Sequence, residues 1–486
     1  MTILFAASEM VPFCKTGGLA DVIGALPLKL TEMGHDVSVM LPGYAVIDRE
    51  SYGFTEITHT IEIPVGWESK PLVVSSGYSN GVTVYLLENE EYFNRGGLYG
   101  NERGDYGDND ARFVFYSRGV IKAVKALGIK ADVIHAHDWQ AGLVMAYLST
   151  VYATDPWFKG TAALFTIHNL GYQGVFPKRV FSLTDISREE FNWKKMEYWG
   201  NVSFLKSGIV YADAVTTVSE KYAEEITREP LGFGMHDILA ERRYDLYGIL
   251  NGINQDEWNP STDKSIPALY NITDMKGKKA CRKALLDTCG LKAKPNVPVF
   301  GMVTRFDDQK GLDILEEAMG RLASIDIRIV ILGTGSTKHR KKMRKLMARY
   351  SDHLHVIIGF DNTMARCIYA GSDAFMMPST YEPCGLGQLI AMRYGTLPVV
   401  HATGGLADTV HDIDVNPEYG NGFSFDEYSS DNLIETVARA VKAFRIPGRT
   451  LWKKAVGHAM KEDFSWERSA GKYIELYDKI GNREKF

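Results

Sequence analysis

Short apolar, β-branched runs alternate with helix-length stretches along this chain, and the alternation starts over past the midpoint. TILFAAS, DVSVMLP, VTVYLL, ADVIHAH and TAALFTIHN stand in the first half. YADAVTTVSEKYAEEI continues the series, with a strand ending at Ser219, a residue suited to cap the next helix. In the second half VPVFGMVT, IRIVILGTG, HLHVIIGF, SDAFMMPS and TLPVVHA repeat the rhythm. Strands spaced by helices in this way form parallel sheets with right-handed crossovers. The spacing therefore predicts an α/β protein of two doubly wound, Rossmann-like lobes, because 486 residues are too many for one core. NGINQDEWNPSTDKSIPALYNITD, rich in Pro, Asn and Asp, reads as the linker, with the boundary between domains 1–250 and 251–465 near Asn251–Ser265.

Composition narrows the function. Lys and Arg number 55 against 60 Asp and Glu, a formal net charge of −5. That balance disfavours nucleic acid or an anionic membrane as the main partner, so a phosphate-bearing ligand must be met by local cations. No apolar run approaches the roughly 20 residues needed to cross a bilayer. The start carries neither a basic leader nor a cleavage site. The cysteines (Cys14, Cys281, Cys289, Cys367, Cys384) are odd in number and lack paired metal spacing, as in a reducing cytoplasm. No metal or other cofactor is expected.

In such folds ligands sit beyond the carboxyl ends of the strands, and the conspicuous motifs fall there. The hexapeptide TGGLAD occurs at 16–21 and again at 403–408. In CKTGGLADV the paired glycines allow close backbone approach, Lys15 adds a charge, and the following helix offers unpaired N–H groups to an anion. Asp21 reads as a helix-start acid or an acceptor of sugar hydroxyls. Arg305 and Lys310 in VTRFDDQKG aim two cations at one point, an arrangement suited to a diphosphate; surface pairing with Asp307 and Asp308 is the plainer reading. The denser run KHRKKMRK at 338–345 reads as a solvated helix face.

PSTYEPCGLGQ is the most specific segment. Pro383 holds Glu382 extended, and Cys384, Gly385 and Leu386 open a helix, so a carboxylate and a helix start stand side by side. Helix capping is the alternative for Glu382. His168 in TIHNLGYQG is expected to reach a ligand, whereas His135 and His137 read as buried and bonded to backbone. Asp138 and Trp139 in HAHDW suit a sugar, the acid for hydroxyls and the indole for a ring face. The long Gly- and Tyr-rich loop ENEEYFNRGGLYGNERGDYGDND reads as functional, with Tyr99 its candidate contact.

Taken together, KTGGLADV, HAHDW, TIHNLGYQG, NGIN, RFDDQKG, PSTYEPCGLGQ and TGGLADTV closely resemble bacterial glycogen synthase and plant starch synthase, in order along nearly the whole chain. The resemblance implies a GT-B fold, with residues 466–486 returning to the first lobe. It implies retaining transfer of glucose from ADP-glucose to the non-reducing end of an α-1,4-glucan. Lys15, Gly18, Arg305, Lys310 and the backbone of Cys384–Leu386 would then hold the diphosphate. Asp21, Asn251, His168 and Glu382 would surround the glucose, with Asp138 and Tyr99 toward the sugar and acceptor, and Thr403 facing the nucleotide sugar. The chain departs from the family at Phe360, where a tyrosine would stack on the base. Asp408 reads as a helix-start acid. Two alternatives stay open: another retaining transferase of this fold using UDP-glucose, such as one making sucrose or trehalose, and a non-catalytic glucan-binding regulator.

Overall fold

The first strand, β1 (Thr2–Ala6), is fully buried over Ile3–Ala6, as the middle of a parallel sheet covered on both faces requires. This is a computed structural model, and it describes residues 1–102 and 104–482. The chain divides into two compact units, one of Met1–Leu250 with the chain from Trp466 onward, the other of Asn251–Ser465.

In the first unit β1 leads through a glycine turn into α1 (Gly18–Glu32), and β2 (Asp36–Pro42) returns beside it. A two-stranded extension follows, β3 (Ile61–Val65) against β4 (Glu68–Ser79), and β5 (Val82–Glu88) turns back along β4. Next come β6 (Val133–His137), α2 (Asp138–Ser149) and β7 (Ala162–Ile167). A small antiparallel sheet is built from β8 (Val175–Pro177), β9 (Glu197–Tyr198) and β10 (Asn201–Ser203). Strands β11 (Ala214–Thr217) and β12 (Leu246–Gly248) complete the main sheet, whose order is β12-β11-β7-β6-β1-β2-β5-β4. Pairing is parallel from β12 to β5 and antiparallel from β5 to β4, an addition to the expected parallel sheet. The reversal comes at Asn80-Gly81, both with positive φ, the backbone a tight hairpin needs.

The second unit holds β13 (Val299–Phe306), α3 (Leu312–Ser324), β14 (Arg328–Gly335), α4 (Thr337–Arg349) and β15 (Leu354–Ile358). These are followed by β16 (Ala374–Met377), α5 (Gly387–Arg393), β17 (Leu397–His401), α6 (Gly404–Thr409) and β18 (Phe423–Phe425). The sheet order β15-β14-β13-β16-β17-β18 is parallel throughout. The order steps outward from β13 in both directions, so the ends of β13 and β16 flank the point where crossovers change side.

The helix Trp466–Gly481 packs on the first unit. The Tyr477 hydroxyl meets His135 Nδ1 at 2.9 Å, Ser469 donates to the Leu250 carbonyl, and Lys472 pairs with Glu220. The segment after Leu250 is not a loose linker. Asn254, Asn259 and Asn271 each accept from backbone N–H groups two or three residues on, the local turns that make Asn-rich sequence look like loop. Yet Tyr270 is buried, and the buried Asp263 takes the Tyr394 hydroxyl at 2.5 Å and Arg366 at 3.2 Å. Asp263→Ala strands the Tyr394 hydroxyl and leaves Arg366 with Glu257 as its one carboxylate partner, and it is expected to lower the stability of the second unit by roughly 1–3 kcal/mol and open residues 251–275 to limited proteolysis. An unchanged cleavage pattern and melting curve would restore the linker reading.

Candidate active site

At the end of β1 the chain enters the turn that carries the first TGGLAD, and one residue shapes it. Glu9, 4% exposed, accepts from Thr16 N at 2.5 Å, the Thr16 hydroxyl at 2.5 Å, Gly17 N at 3.1 Å and the Tyr99 hydroxyl at 2.8 Å. The Tyr99 hydroxyl also meets Ser8 Oγ at 2.7 Å. Tyr99 is thus turned inward and joins its loop to the glycine turn. Lys15 Nζ lies 2.6 and 2.8 Å from the two oxygens of Asp21, in the first turn of α1.

Strand β6 runs beside β1, and β7 runs beside β6. Asp138 adopts φ +55°, which lets its carboxylate accept His168 N at 2.8 Å and the amide of Asn169. Burial pushes the Asp138 carboxyl up to about 7 against the pull of those two amides, with the charge of Glu9 adding to the rise. His168 Nε2 meets His137 Nδ1 at 3.0 Å, and burial drives the His168 imidazole down to about 3. It is therefore neutral at physiological pH and acts by hydrogen bonding, not by charge. His135 and His137 are buried as expected, but they bond side chains and not the expected backbone: His135 bonds Thr166 and Tyr477, and His137 bonds His168. Trp139 packs against Phe113 and Phe176.

In the second unit two loops are zipped together. Thr380 N donates to the Gln309 carbonyl at 2.8 Å, and Gln309 Nε2 donates to the Tyr381 carbonyl at 3.0 Å. Gly311, at φ +69°, abuts the Pro378 carbonyl, where a Cβ would come within 1.8 Å. The zipper delivers Lys310 Nζ to Glu382 Oε2 at 2.7 Å, and Ser379 Oγ donates to the same oxygen at 3.0 Å. Glu382 is 7% exposed, so its charge needs both partners. Arg305 is exposed at the end of β13, 3.6 Å from Asp307. Cys384 is buried, and burial pushes its thiol up to about 12 despite hydrogen bonds from Asn251, whose Oδ1 is itself buried without a partner. Gly385 adopts φ +71°, and Leu386 opens α5. Phe360 is 78% exposed on the turn after β15. Thr403 is buried at the start of α6. Among the described residues, no group of three or more His, Cys, Asp or Glu could hold a metal, and no helix is long and apolar enough to cross a membrane.

The two TGGLAD copies have different supports. Cβ atoms on Gly17 or Gly18 would meet nothing within 4 Å, whereas on Gly404 and Gly405 they would come within 2.1 Å of the Glu382 carbonyl and 2.0 Å of the Cys384 carbonyl. The second pair is glycine so that α6 can lie against the EPCG loop, with Gly405 N donating to the Glu382 carbonyl at 3.1 Å. Among the described residues, no contact within the first unit demands the first pair.

Residues 2–241 match the family model described as starch synthase catalytic domain, and 290–445 match glycosyl transferases group 1. A glycogen synthase from Geotalea daltonii is 45% identical over 98% of each chain. One from Bacillus cereus is 40% identical over 99% of this chain and all of its own. The chain belongs to the glycogen and starch synthase family. The solved catalytic domain of starch synthase IV from Arabidopsis thaliana, bound to ADP and acarbose, superposes with a TM-score of 0.91 at 31% identity, covering 99% of both chains. A sucrose-phosphate synthase from Thermosynechococcus elongatus, at 18% identity and TM-score 0.62, shares the fold alone. This synthase is accordingly a glucosyltransferase of the GT-B type.

The Asp138 carboxylate holds the turn that carries His168 by accepting the His168 and Asn169 amides. Asp408 is not a helix-start acid: α6 begins one residue earlier in the hexapeptide than α1 does, and Asp408 lies near its end. Glu9 escaped notice because it follows β1 in the apolar run TILFAASEM, yet a lone acid in such a run is the signal of a buried carboxylate with built-in partners.

Gly18→Ala is expected to leave the thermal midpoint of this synthase unchanged while raising the KM for its sugar donor. Gly405→Ala is expected to cost roughly 1–3 kcal/mol of stability through overpacking. Equal destabilisation by both would show that the first glycine pair is needed by the fold alone. Because the ionised Asp138 carboxylate accepts two amides, kcat/KM is expected to fall as pH drops below about 7, a limb that Asp138→Asn abolishes. Stability runs the other way. The raised carboxyl pKa favours the folded state at low pH, a contribution lost as pH rises through about 7.

Proposed function

We propose that this synthase transfers glucose from ADP-glucose to the non-reducing end of an α-1,4-glucan with retention at the anomeric carbon, in the cytoplasm. The observation that carries the reading is the buried Glu382–Lys310 pair, past the carboxyl ends of the neighbouring parallel strands β13 and β16, with Arg305 exposed at the end of β13. Lys15, Gly18, Arg305, Lys310 and the Cys384–Leu386 backbone hold the diphosphate. Asp21, Asn251, His168 and Glu382 contact the glucose, and Thr403 lies toward the nucleotide sugar. The first domain, with the C-terminal helix, takes the glucan, and the second takes the nucleotide sugar.

A nucleoside diphosphate needs no general acid to depart, because fixed cations stabilise the charge that develops as the C1–O bond breaks. Lys310 retains two N–H groups beyond the one given to Glu382, so it can serve phosphate and carboxylate at once. As the sugar gains oxocarbenium character, Glu382 supports the positive charge. A carboxylate already bonded to an ammonium and a hydroxyl is a poor nucleophile. That favours an orienting role, with the acceptor hydroxyl attacking from the side of the departing ADP and passing its proton to that phosphate. Neutral His168 adds no positive charge beside the oxocarbenium, which an imidazolium would oppose. Phe360 offers an exposed ring for the base to stack on but no hydroxyl, so base selectivity must come from other polar contacts.

Incubation with ADP-glucose or UDP-glucose and a glycogen primer, followed by nucleotide release and product linkage, tests the whole reading. Elongation with α-1,4 links and an ADP-glucose preference are expected; transfer from UDP-glucose alone would refute the donor. Glu382→Ala is expected to lower transfer by a factor on the order of a hundred or more while calorimetry still shows ADP binding. Arg305→Ala and Lys310→Ala are expected to weaken ADP on the order of ten- to a hundredfold. Normal ADP binding by both would overturn the diphosphate assignment.

A further inference from the structure

Between Gly174 and Phe204 the first unit carries two indoles that its core does not use. Trp199 is 81% exposed and Trp193 is 69% exposed. Trp199 and Gly200 form the two-residue turn joining β9 to β10, with φ +50° and +78°. That is the turn in which both central residues take left-handed backbone, normally Asn-Gly. A tryptophan there is strained, and an indole left in solvent, with only an edge contact to Tyr198, offsets little of that strain. The strain is nevertheless held in place. Gly200 N donates to Glu197 Oε1 at 2.5 Å, and the buried Lys206 ammonium donates to the Trp193 carbonyl at 2.5 Å and the Glu197 carbonyl at 2.6 Å. One cation therefore staples both indole-bearing turns together.

The same hairpin is tied to the loop that follows His168. The Phe233 carbonyl accepts the Tyr198 hydroxyl at 3.0 Å and Gln173 Nε2 at 2.9 Å. The Gln173 carbonyl accepts Ser203 Oγ at 2.9 Å, and the Gly174 carbonyl accepts Phe204 N at 3.0 Å. Tyr172, half-exposed, stands on that connecting loop.

We propose that Trp193 and Trp199 form a platform for an α-glucan chain, binding sugar units remote from the one that reacts. Rigid, solvent-facing rings suit the apolar faces of hexoses, whose hydroxyls stay in water. A polymeric acceptor supplies many such faces, and the hairpin is joined to the sugar-facing loop by the four hydrogen bonds above. The inference rests on the glucan acceptor proposed above and extends it from the reacting sugar to the body of the polymer. Holding the polymer at a second place would raise the local concentration of chain ends.

The test compares the full-length Trp193→Ala/Trp199→Ala variant with wild type on two acceptors, glycogen and maltotriose. Each lost ring is worth a factor of a few, so the apparent KM for glycogen is expected to rise on the order of tenfold. Retardation in a glycogen-containing native gel should fall, while kcat and the KM for maltotriose stay unchanged. Trp193→Tyr/Trp199→Tyr should recover most of the retardation. Trp67→Ala, which removes a fully exposed indole from the β3–β4 turn, should have no effect. The proposal is overturned by unaltered glycogen retardation, by an equal loss in Trp67→Ala, or by a change in sedimentation that marks the indoles as a contact between copies. Failure of wild type to extend maltotriose would instead sink the acceptor reading itself.

Discussion

A buried carboxylate at the end of a parallel strand has to be paired, and the Glu382–Lys310 contact does this for the second unit. The two residues belong to different strand-to-helix connections. Their 2.7 Å contact is possible only because the Gln309, Thr380 and Tyr381 backbone and side-chain bonds zip those connections together. Gly311 is part of the same device, since no side chain fits against the Pro378 carbonyl. Loosening the zipper would leave an uncompensated charge in a site 7% exposed, so the geometry of cation and carboxylate is held by the fold and not by a ligand.

The first unit solves the same problem with different groups, and the repeated hexapeptide shows how. At its first occurrence the glycine turn hangs from the side chain of Glu9, which leaves the Cα positions of Gly17 and Gly18 open. At the second it hangs from the backbone carbonyls of Glu382 and Pro383, and the Glu382 and Cys384 carbonyls close off the two glycines, which leaves the Glu382 side chain to Lys310. Six identical residues thus serve an open face in one unit and a packed one in the other. The charge pattern differs as well. Around His168 burial keeps the imidazoles neutral, whereas Arg305 and Lys310 place cations at the end of β13. Neutral hydrogen-bonding groups suit sugar hydroxyls, and cations suit phosphate.

Much of this was legible in the sequence because parallel strands buried on both faces write themselves as continuous apolar runs. β1, β2, β6, β7 and the central strands of the second unit are of that kind. The β3–β4 extension was not legible: its alternating residues face both solvent and core, and Pro64 and Pro71 interrupt the pattern. The segment after Leu250 misled for a related reason. Its Asn and Asp residues do make turns, but Asp263 and Tyr270 reach inward, and their partners Arg366 and Tyr394 lie about a hundred residues on. Glu9 and Asp138 show the limit most plainly. Residue type announced chemistry in HDW, but only coordinates show that the Asp138 carboxylate faces two amides and that Glu9 joins the glycine turn to Tyr99.

Positive φ at residues other than glycine separates what the fold needs for itself from what it offers outward. Asp138 adopts that backbone at the end of β6, and the strain is repaid within the unit, because the turn brings its carboxylate under the amides of His168 and Asn169. Trp199 adopts it on the β9–β10 hairpin with its indole in solvent. The hydrogen bonds of Glu197 and Lys206 fix the turn around it without using the ring. Asparagine in that place would keep every one of these bonds at less strain. Beyond an edge contact with Tyr198, what tryptophan adds is a broad apolar face turned outward, which is an advantage when a partner with apolar faces of its own lies across it.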